Sequence, residues 1–246
     1  MTEHISGPLP EIVTRVRRIA VAAIARDEGC SLDEASARLD AAKPVPEPTR
    51  EQLATERGEA EARRIEHALR ELALPVRGDL LPAIARANVR ATHATKVTSE
   101  WLRSERRALV LVGDMGTGKT VAATLALAAW LRRRRTIGYL QEPRLVRWWH
   151  SSTLAHEQHV ERLVGVDMLV IDELGTSTTR DAERSRDAVW GMLNERIAGE
   201  RRTLLIGNLR PDDIGKRYGA RFSDRLNEIG SVVHVVGASM RGEMRP

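Results

Sequence analysis

This 246-residue sequence predicts an α/β fold, a parallel five-stranded sheet preceded by a small helical region. Three observations lead there. Short apolar runs alternate with helix-length segments from Ala108 onward. The first run ends in a glycine-rich loop that opens a helix. The third ends in two adjacent carboxylates, Asp172 and Glu173.

The elements follow in order. Ile12, Val16, Ile19, Ala20 and Ala23 recur at helical spacing over residues 11–28, and Gly29 closes that helix. Ser31-Leu-Asp-Glu34 is a capping-box pattern that starts a second, short helix. Lys43-Pro-Val-Pro-Glu-Pro48 is a stiff break, because alternate prolines favour an extended chain. Thr49-Arg-Glu-Gln52 resembles another capping box and opens a long charged helix to about Leu74, ended by Pro75. Residues 1–74 therefore form a helical N-terminal region, 75–107 a linker with a lead-in helix, and 108–246 the α/β domain. Within that domain, strands are predicted at 108–112, 136–140, 166–171, 203–206 and 232–236. Helices are predicted at 121–134, 145–157 and 181–198. Ala108-Leu-Val-Leu-Val112 is apolar throughout, as a strand buried on both faces requires.

Composition narrows the class. The chain is 42% hydrophobic and 30% charged, as a soluble globular protein is. It has no apolar run of membrane-spanning length and no secretory pattern at the N-terminus, so no membrane partner is expected. The single cysteine, Cys30, excludes an internal disulfide and a cysteine metal cluster. Together these favour the cytoplasm. Residues 1–74 carry 11 basic and 14 acidic side chains, a net of −3; the remaining 28 basic and 20 acidic give +8. Such asymmetry fits a domain that meets phosphate backbones, and equally an arginine-rich solvated surface, since only four of the 39 basic residues are lysine.

The chemistry concentrates at strand ends. Gly113-Asp-Met-Gly-Thr-Gly-Lys119-Thr120 follows a predicted strand and opens a helix, the setting of a phosphate-binding loop. Glycines let backbone N–H groups turn toward phosphate oxygens, and the helix N-terminus adds its dipole. Gly113, Gly116, Thr117, Gly118, Lys119, Thr120 and Val121 are the candidate nucleotide contacts. Lys119 would reach the β- and γ-phosphates, and the Thr120 hydroxyl would sit on Mg²⁺. Val166-Asp-Met-Leu-Val-Ile-Asp172-Glu173 supplies a second metal ligand in Asp172 and a carboxylate, Glu173, to polarise the attacking water. Asn208 ends the fourth strand and is placed to orient that water, although an Asn there also suits a turn. Arg221 and Arg225 stand four apart on one helix face, suited to stabilising charge on a neighbour's γ-phosphate or to a surface pair with Asp224 or Glu228. Arg241 follows the last strand and is a candidate phosphate contact within its own subunit.

The order of these motifs resembles the DnaC/DnaI-type helicase loaders and the related IstB-type transposition ATPases of the AAA+ superfamily. The matching pieces, from about Trp101 to Arg241, are the loop, Leu-Val-Ile-Asp-Glu-Leu-Gly, the strand ending Gly-Asn-Leu, Arg-Phe-Ser-Asp-Arg-Leu, and Ser-Met-Arg. The resemblance implies an AAA+ P-loop NTPase core that binds ATP and Mg²⁺ and hydrolyses ATP. It makes Asn208 the sensor-1 residue and Arg241 the sensor-2 arginine. Arg225, or alternatively Arg221, becomes the finger given to the next subunit. It implies single-stranded DNA binding, a homo-oligomer in the ATP state, and a partner gripped through residues 1–74. For loaders that partner is the replicative helicase; for IstB-type proteins it is a transposase. A third alternative is an ATP-binding switch with little turnover. Five residues follow Arg241, so the C-terminal helical lid is expected to be absent or vestigial.

Two other stretches stand out. Arg132–Arg135 suits the negative end of a helix dipole. Pro143–Leu163 places Arg144, Arg147, Trp148, Trp149 and His150 together, which suits stacking on a single strand, although one of the two tryptophans is expected in the core. The N-terminal helices hold no histidine–cysteine cluster, which excludes a zinc-binding partner domain.

Overall fold

Every predicted strand forms, and all five pair in parallel. They are β1 (Ala108–Val112), β2 (Ile137–Gln141), β3 (Met168–Leu174), β4 (Arg202–Gly207) and β5 (Gly230–His234), in the spatial order β2-β3-β4-β1-β5. The protein, a computed structural model, is described over residues 9–41, 49–177 and 181–237, with backbone alone for 9–16. The proline-rich stretch Lys43–Pro48 and Arg241 lie outside the described residues.

The chain divides into two compact units, Met1–Ala54 and Thr55–Pro246. In the first, α1 (Leu9–Glu28) ends at Gly29, whose left-handed φ of 64° reverses the chain. The helix α2 (Leu32–Ala41) begins with the expected reciprocal cap: Ser31 N–H donates to Glu34 at 2.9 Å and Glu34 N–H to the Ser31 hydroxyl at 3.3 Å. An Arg17–Asp40 ion pair at 2.6 Å ties α1 to α2. The helix α3 (Arg50–Glu71) opens with the same device, Thr49 N–H donating to Gln52 at 2.7 Å.

In the second unit, parallel pairing sends each connection back across the sheet, so helices cover both faces. Alternate residues of one strand feed opposite cores. Leu109 and Leu111 of β1 pack with Ile65 and Leu69 of α3 and with three further helices: α4 (Leu81–Ala85), α5 (His93–Arg103) and α6 (Lys119–Arg132). Val110 and Val112 face the other core. It is built from α7 (Glu142–Trp149), α9 (Ala182–Ala198), α10 (Pro211–Tyr218) and α11 (Ala220–Ile229).

One expected helix, residues 145–157, is instead two: α7 ends at Trp149 and α8 (Leu154–Gly165) starts after a four-residue break. The break is polar, and its side chains bond locally: the Ser151 hydroxyl bonds His156 Nδ1 at 2.7 Å and Thr153 at 3.0 Å. Trp149 packs on α9 at Gly191, where any Cβ would collide with its ring.

The arginine run makes contacts within the fold, although only Arg132 turns inward and Arg133, Arg134 and Arg135 stay exposed. Arg132 donates to the Ile84 and Ala85 carbonyls at 3.2 and 2.7 Å, capping α4. Arg133 lies 4.8 Å over Trp130, Arg134 pairs with Glu61 at 3.2 Å, and Arg135 with Asp167 at 3.6 Å. Arg196 goes further inside and has no exposed surface. Its guanidinium donates to the Thr203 hydroxyl (2.9 Å) and to the carbonyls of Leu163 (2.7 Å), Val164 (3.1 Å), Val166 (2.8 Å) and Arg202. It thereby caps α8 and ties the entrances of β3 and β4. Burial pulls its pKa down to about 9.

Arg196→Met should lower unfolding free energy by about 3 kcal/mol or more, because several buried acceptors lose their donor. Arg196→Lys should recover less than half of the loss, since one ammonium cannot span the same acceptors. Urea unfolding measures both; a Lys variant as stable as the parent would contradict this account.

Candidate functional site

The C-terminal ends of β1, β3 and β4 open on one cavity of about 380 Å³. The loop after β1 supplies its floor. Gly116 and Gly118 have φ of 84° and 87°, which side chains resist, and Gly118 is the N-cap of α6. A Cβ at Gly113 would collide with the Val235 carbonyl. Lys119 is buried at the helix start, its ammonium 2.8 and 2.7 Å from the Gly113 and Asp114 carbonyls. Thr117 is buried too, its hydroxyl donating to Asp114 at 2.9 Å.

Strand β3 carries an irregularity where it matters. Between Ile171 and Leu174 it takes three steps while β4 takes two, from Leu205 to Gly207. This bulge carries Glu173 at a φ of 58°, a strained value for a non-glycine residue. Asp172 and Glu173 consequently both line the cavity. Asp172 accepts from its neighbour's N–H at 2.7 Å, from the Tyr139 hydroxyl at 3.1 Å and from the Thr120 hydroxyl at 3.4 Å. Burial nevertheless holds its carboxyl above the ordinary carboxylate range. Glu173 is shifted the same way, by burial first and then by the charge of Asp172. Burial and Asp172 likewise raise the Tyr139 phenol. Thr120 and Asp172 form an all-oxygen pair on either side of the loop, a donor set that suits a hard cation such as Mg²⁺.

The cavity gathers Gly116, Gly118, Lys119, Thr120, Val121, Asp172, Glu173 and the exposed Asn208. Arg221 and Arg225 are not in its lining. Both lie on α11, Arg221 exposed and Arg225 bonded to Glu228 at 2.8 Å. Arg241 lies outside the described residues.

Sequence reading missed three contributors. Pro75, Val76 and Leu80 give the cavity an apolar wall, joined by Arg77. Pro75 reads locally as a helix stop, and only the fold brings it to the loop. The Tyr139 hydroxyl on Asp172 comes from the adjacent strand β2. Buried Glu142, at the start of α7, binds the segment that leaves β3.

The family model described as "IstB-like ATP binding protein" matches residues 40–245. No curated protein matches significantly. Three solved structures are similar in fold. A DNA replication initiation factor has 18% identity and a TM-score of 0.52, over 61% of this chain and 48% of that one. The replication initiator DnaA bound to AMPPCP and single-stranded DNA has 19% identity and a TM-score of 0.50, over 58% and 45%. DnaI has 20% identity and a TM-score of 0.49, over 72% and 92%. The matched region spans about half the length of the first two.

A carboxyl that binds its proton more tightly folded than unfolded costs stability once ionised. That cost is absent below the unfolded pKa of about 4 and complete above the folded one, so stability falls as pH rises between them. Asp172→Asn should therefore raise the melting temperature of the metal-free protein at neutral pH, by about 2–4 °C per kcal/mol relieved. The gain should vanish below pH ~4. Calorimetry across pH tests this; a gain independent of pH would refute the burial account.

Proposed function

The chain belongs to the IstB-like ATP-binding family, and we propose that it is an ATPase whose site is completed by a neighbouring subunit. The observation that carries this proposal is the separation of its charges: Lys119, Asp172, Glu173 and Asn208 share one cavity, while Arg221 and Arg225 sit on a helix outside its lining. On this reading the α11 arginines act at the γ-phosphate of another copy, while Arg77 lines the cavity from within its own chain.

In this mechanism the loop N–H groups and Lys119 hold the phosphates. Thr120 and Asp172 would hold Mg²⁺, which when bound neutralises charge on the β- and γ-phosphate oxygens. Glu173, whose proton affinity is raised, takes a proton from the attacking water. Asn208 orients that water. The wall of Pro75, Val76 and Leu80 offers a flat base an apolar surface. Arg241 completes the phosphate contacts from its own subunit.

We further propose that the assembled protein binds single-stranded DNA and uses residues 1–74 to deliver a replicative helicase to it. The resemblance to helicase loaders supports this, as does the exposure of Arg144 and Arg147 beside Trp148. The matched family favours a second reading, delivery of a transposase. Binding of the full-length protein to each purified partner separates the two: ATP-dependent capture of the helicase alone supports loading, and capture of the transposase alone replaces it.

Lys119→Ala should abolish nucleotide binding by calorimetric titration; undiminished affinity would remove the loop assignment. The double variant Arg221→Ala, Arg225→Ala should keep nucleotide affinity and lose roughly 1000-fold in turnover. Mixed with Glu173→Gln protein it should regain activity, because some interfaces then pair an intact Glu173 with intact arginines. Absence of any regain would refute completion between subunits.

A further inference from the structure

Glu142 has no exposed surface, yet nothing in the ATP chemistry above uses it. Its carboxylate accepts four hydrogen bonds from three separate segments. Oε2 takes the Gly175 N–H and the Tyr218 hydroxyl, the latter at 2.9 Å. Oε1 takes the Ser177 hydroxyl at 2.9 Å and the Ser185 hydroxyl of α9. Four bonds exhaust the lone pairs of a carboxylate.

The donors are what give this arrangement meaning. Gly175 stands two residues beyond Glu173, and Ser177 two further on. Tyr218 ends α10, immediately before Gly219, whose φ of 89° turns the chain into α11 and on to Arg221. Arg217 adds a parallel tie by donating to the Ser177 carbonyl. On its other side Gly175 is pressed against Leu209, the residue after Asn208, with no room for a Cβ. The segment leaving the carboxylate pair is therefore clamped between the Asn208 strand and the helix pair that carries the arginines.

We propose that Glu142 is a positioning residue that couples the cavity at Glu173 to the placement of α10 and α11, and so to Arg221 and Arg225. It rests on the reading of the cavity as an ATP site. A buried network tolerates little slack: a displacement that breaks one of its bonds strands a donor away from water. A shift of Glu173 on ATP binding is then carried through Gly175 and Glu142 to Tyr218 without loss along the way. The device sets when the arginines are presented, not whether nucleotide binds.

Hydrogen exchange of the full chain, with and without AMPPCP and Mg²⁺, reads this directly. In the parent protein the nucleotide should slow exchange both in the loop 113–120 and in residues 211–229. Tyr218→Phe removes one hydroxyl and keeps the ring against Phe222, 5.0 Å between centroids. It should keep the loop response, lose the response at 211–229, and lower kcat about tenfold at unchanged KM for ATP. Glu142→Met should do the same. Glu142→Gln should restore most of what Glu142→Met loses, because its oxygen can serve Gly175 and Tyr218 while the two serine hydroxyls turn to accept from its amide. A parent that shows no loop response would overturn the ATP site and this coupling together. A loop response with an unaltered response at 211–229 in both Tyr218→Phe and Glu142→Met would overturn the coupling alone.

Discussion

Consecutive residues of a β-strand point to opposite faces, so a regular β3 would turn Asp172 and Glu173 away from each other. The extra residue between Ile171 and Leu174, with Glu173 in a left-handed conformation, turns both toward the same cavity. The rest of the site is organised around that local distortion. Thr120 and Tyr139 hold one carboxylate by a single oxygen, Oδ2 of Asp172, and the segment beyond the other is gripped by Leu209 and Glu142. A bulge costs ladder bonds and backbone strain, so it persists only where the surroundings fix it. Here the surroundings are the two flanking strands β2 and β4, the start of α6 and a buried carboxylate.

Arginine serves two purposes in this chain. Arg132, Arg196 and Arg202 turn inward and satisfy backbone carbonyls at the ends of helices and strands. Arg202 does so at Trp101 (2.8 Å) and Ser104 while stacking on two indoles. A planar guanidinium reaches several carbonyls at once, which lysine does not. Part of the basic excess is thus internal scaffolding, its guanidinium groups already bonded to backbone carbonyls. Arg144, Arg147 and Arg221 remain exposed.

What was legible in the sequence was local. The loop at Gly113–Thr120, the apolar strands and the carboxylates at the end of β3 are each written in consecutive residues, and the structure forms the elements they predict. The parts that were not legible join distant residues. Glu142 meets Tyr218 across 76 positions, and Arg202 meets Trp101 across 101. Glu142 heads a helix, where an acidic residue is ordinary, so nothing in its neighbourhood marks it as buried. The split between α7 and α8 was not legible because the break, His150–Thr153, holds no proline or glycine to mark it. It is fixed by bonds of the Ser151 hydroxyl and by Trp148 stacking on His159, 4.8 Å away.

The wall made by Pro75, Val76, Arg77 and Leu80 has a consequence for how such a protein can be taken apart and recombined. Judged by motifs alone, the ATP-binding module begins near Ala108, and everything earlier looks exchangeable. The cavity says otherwise, as does the seat of Ile65 and Leu69 in the core beneath the sheet. A chimera spliced between residues 75 and 107 would inherit the phosphate loop without one side of its nucleotide cavity and with a hole under β1. A graft that preserves the module has to join upstream of Thr55, where the compact second unit begins.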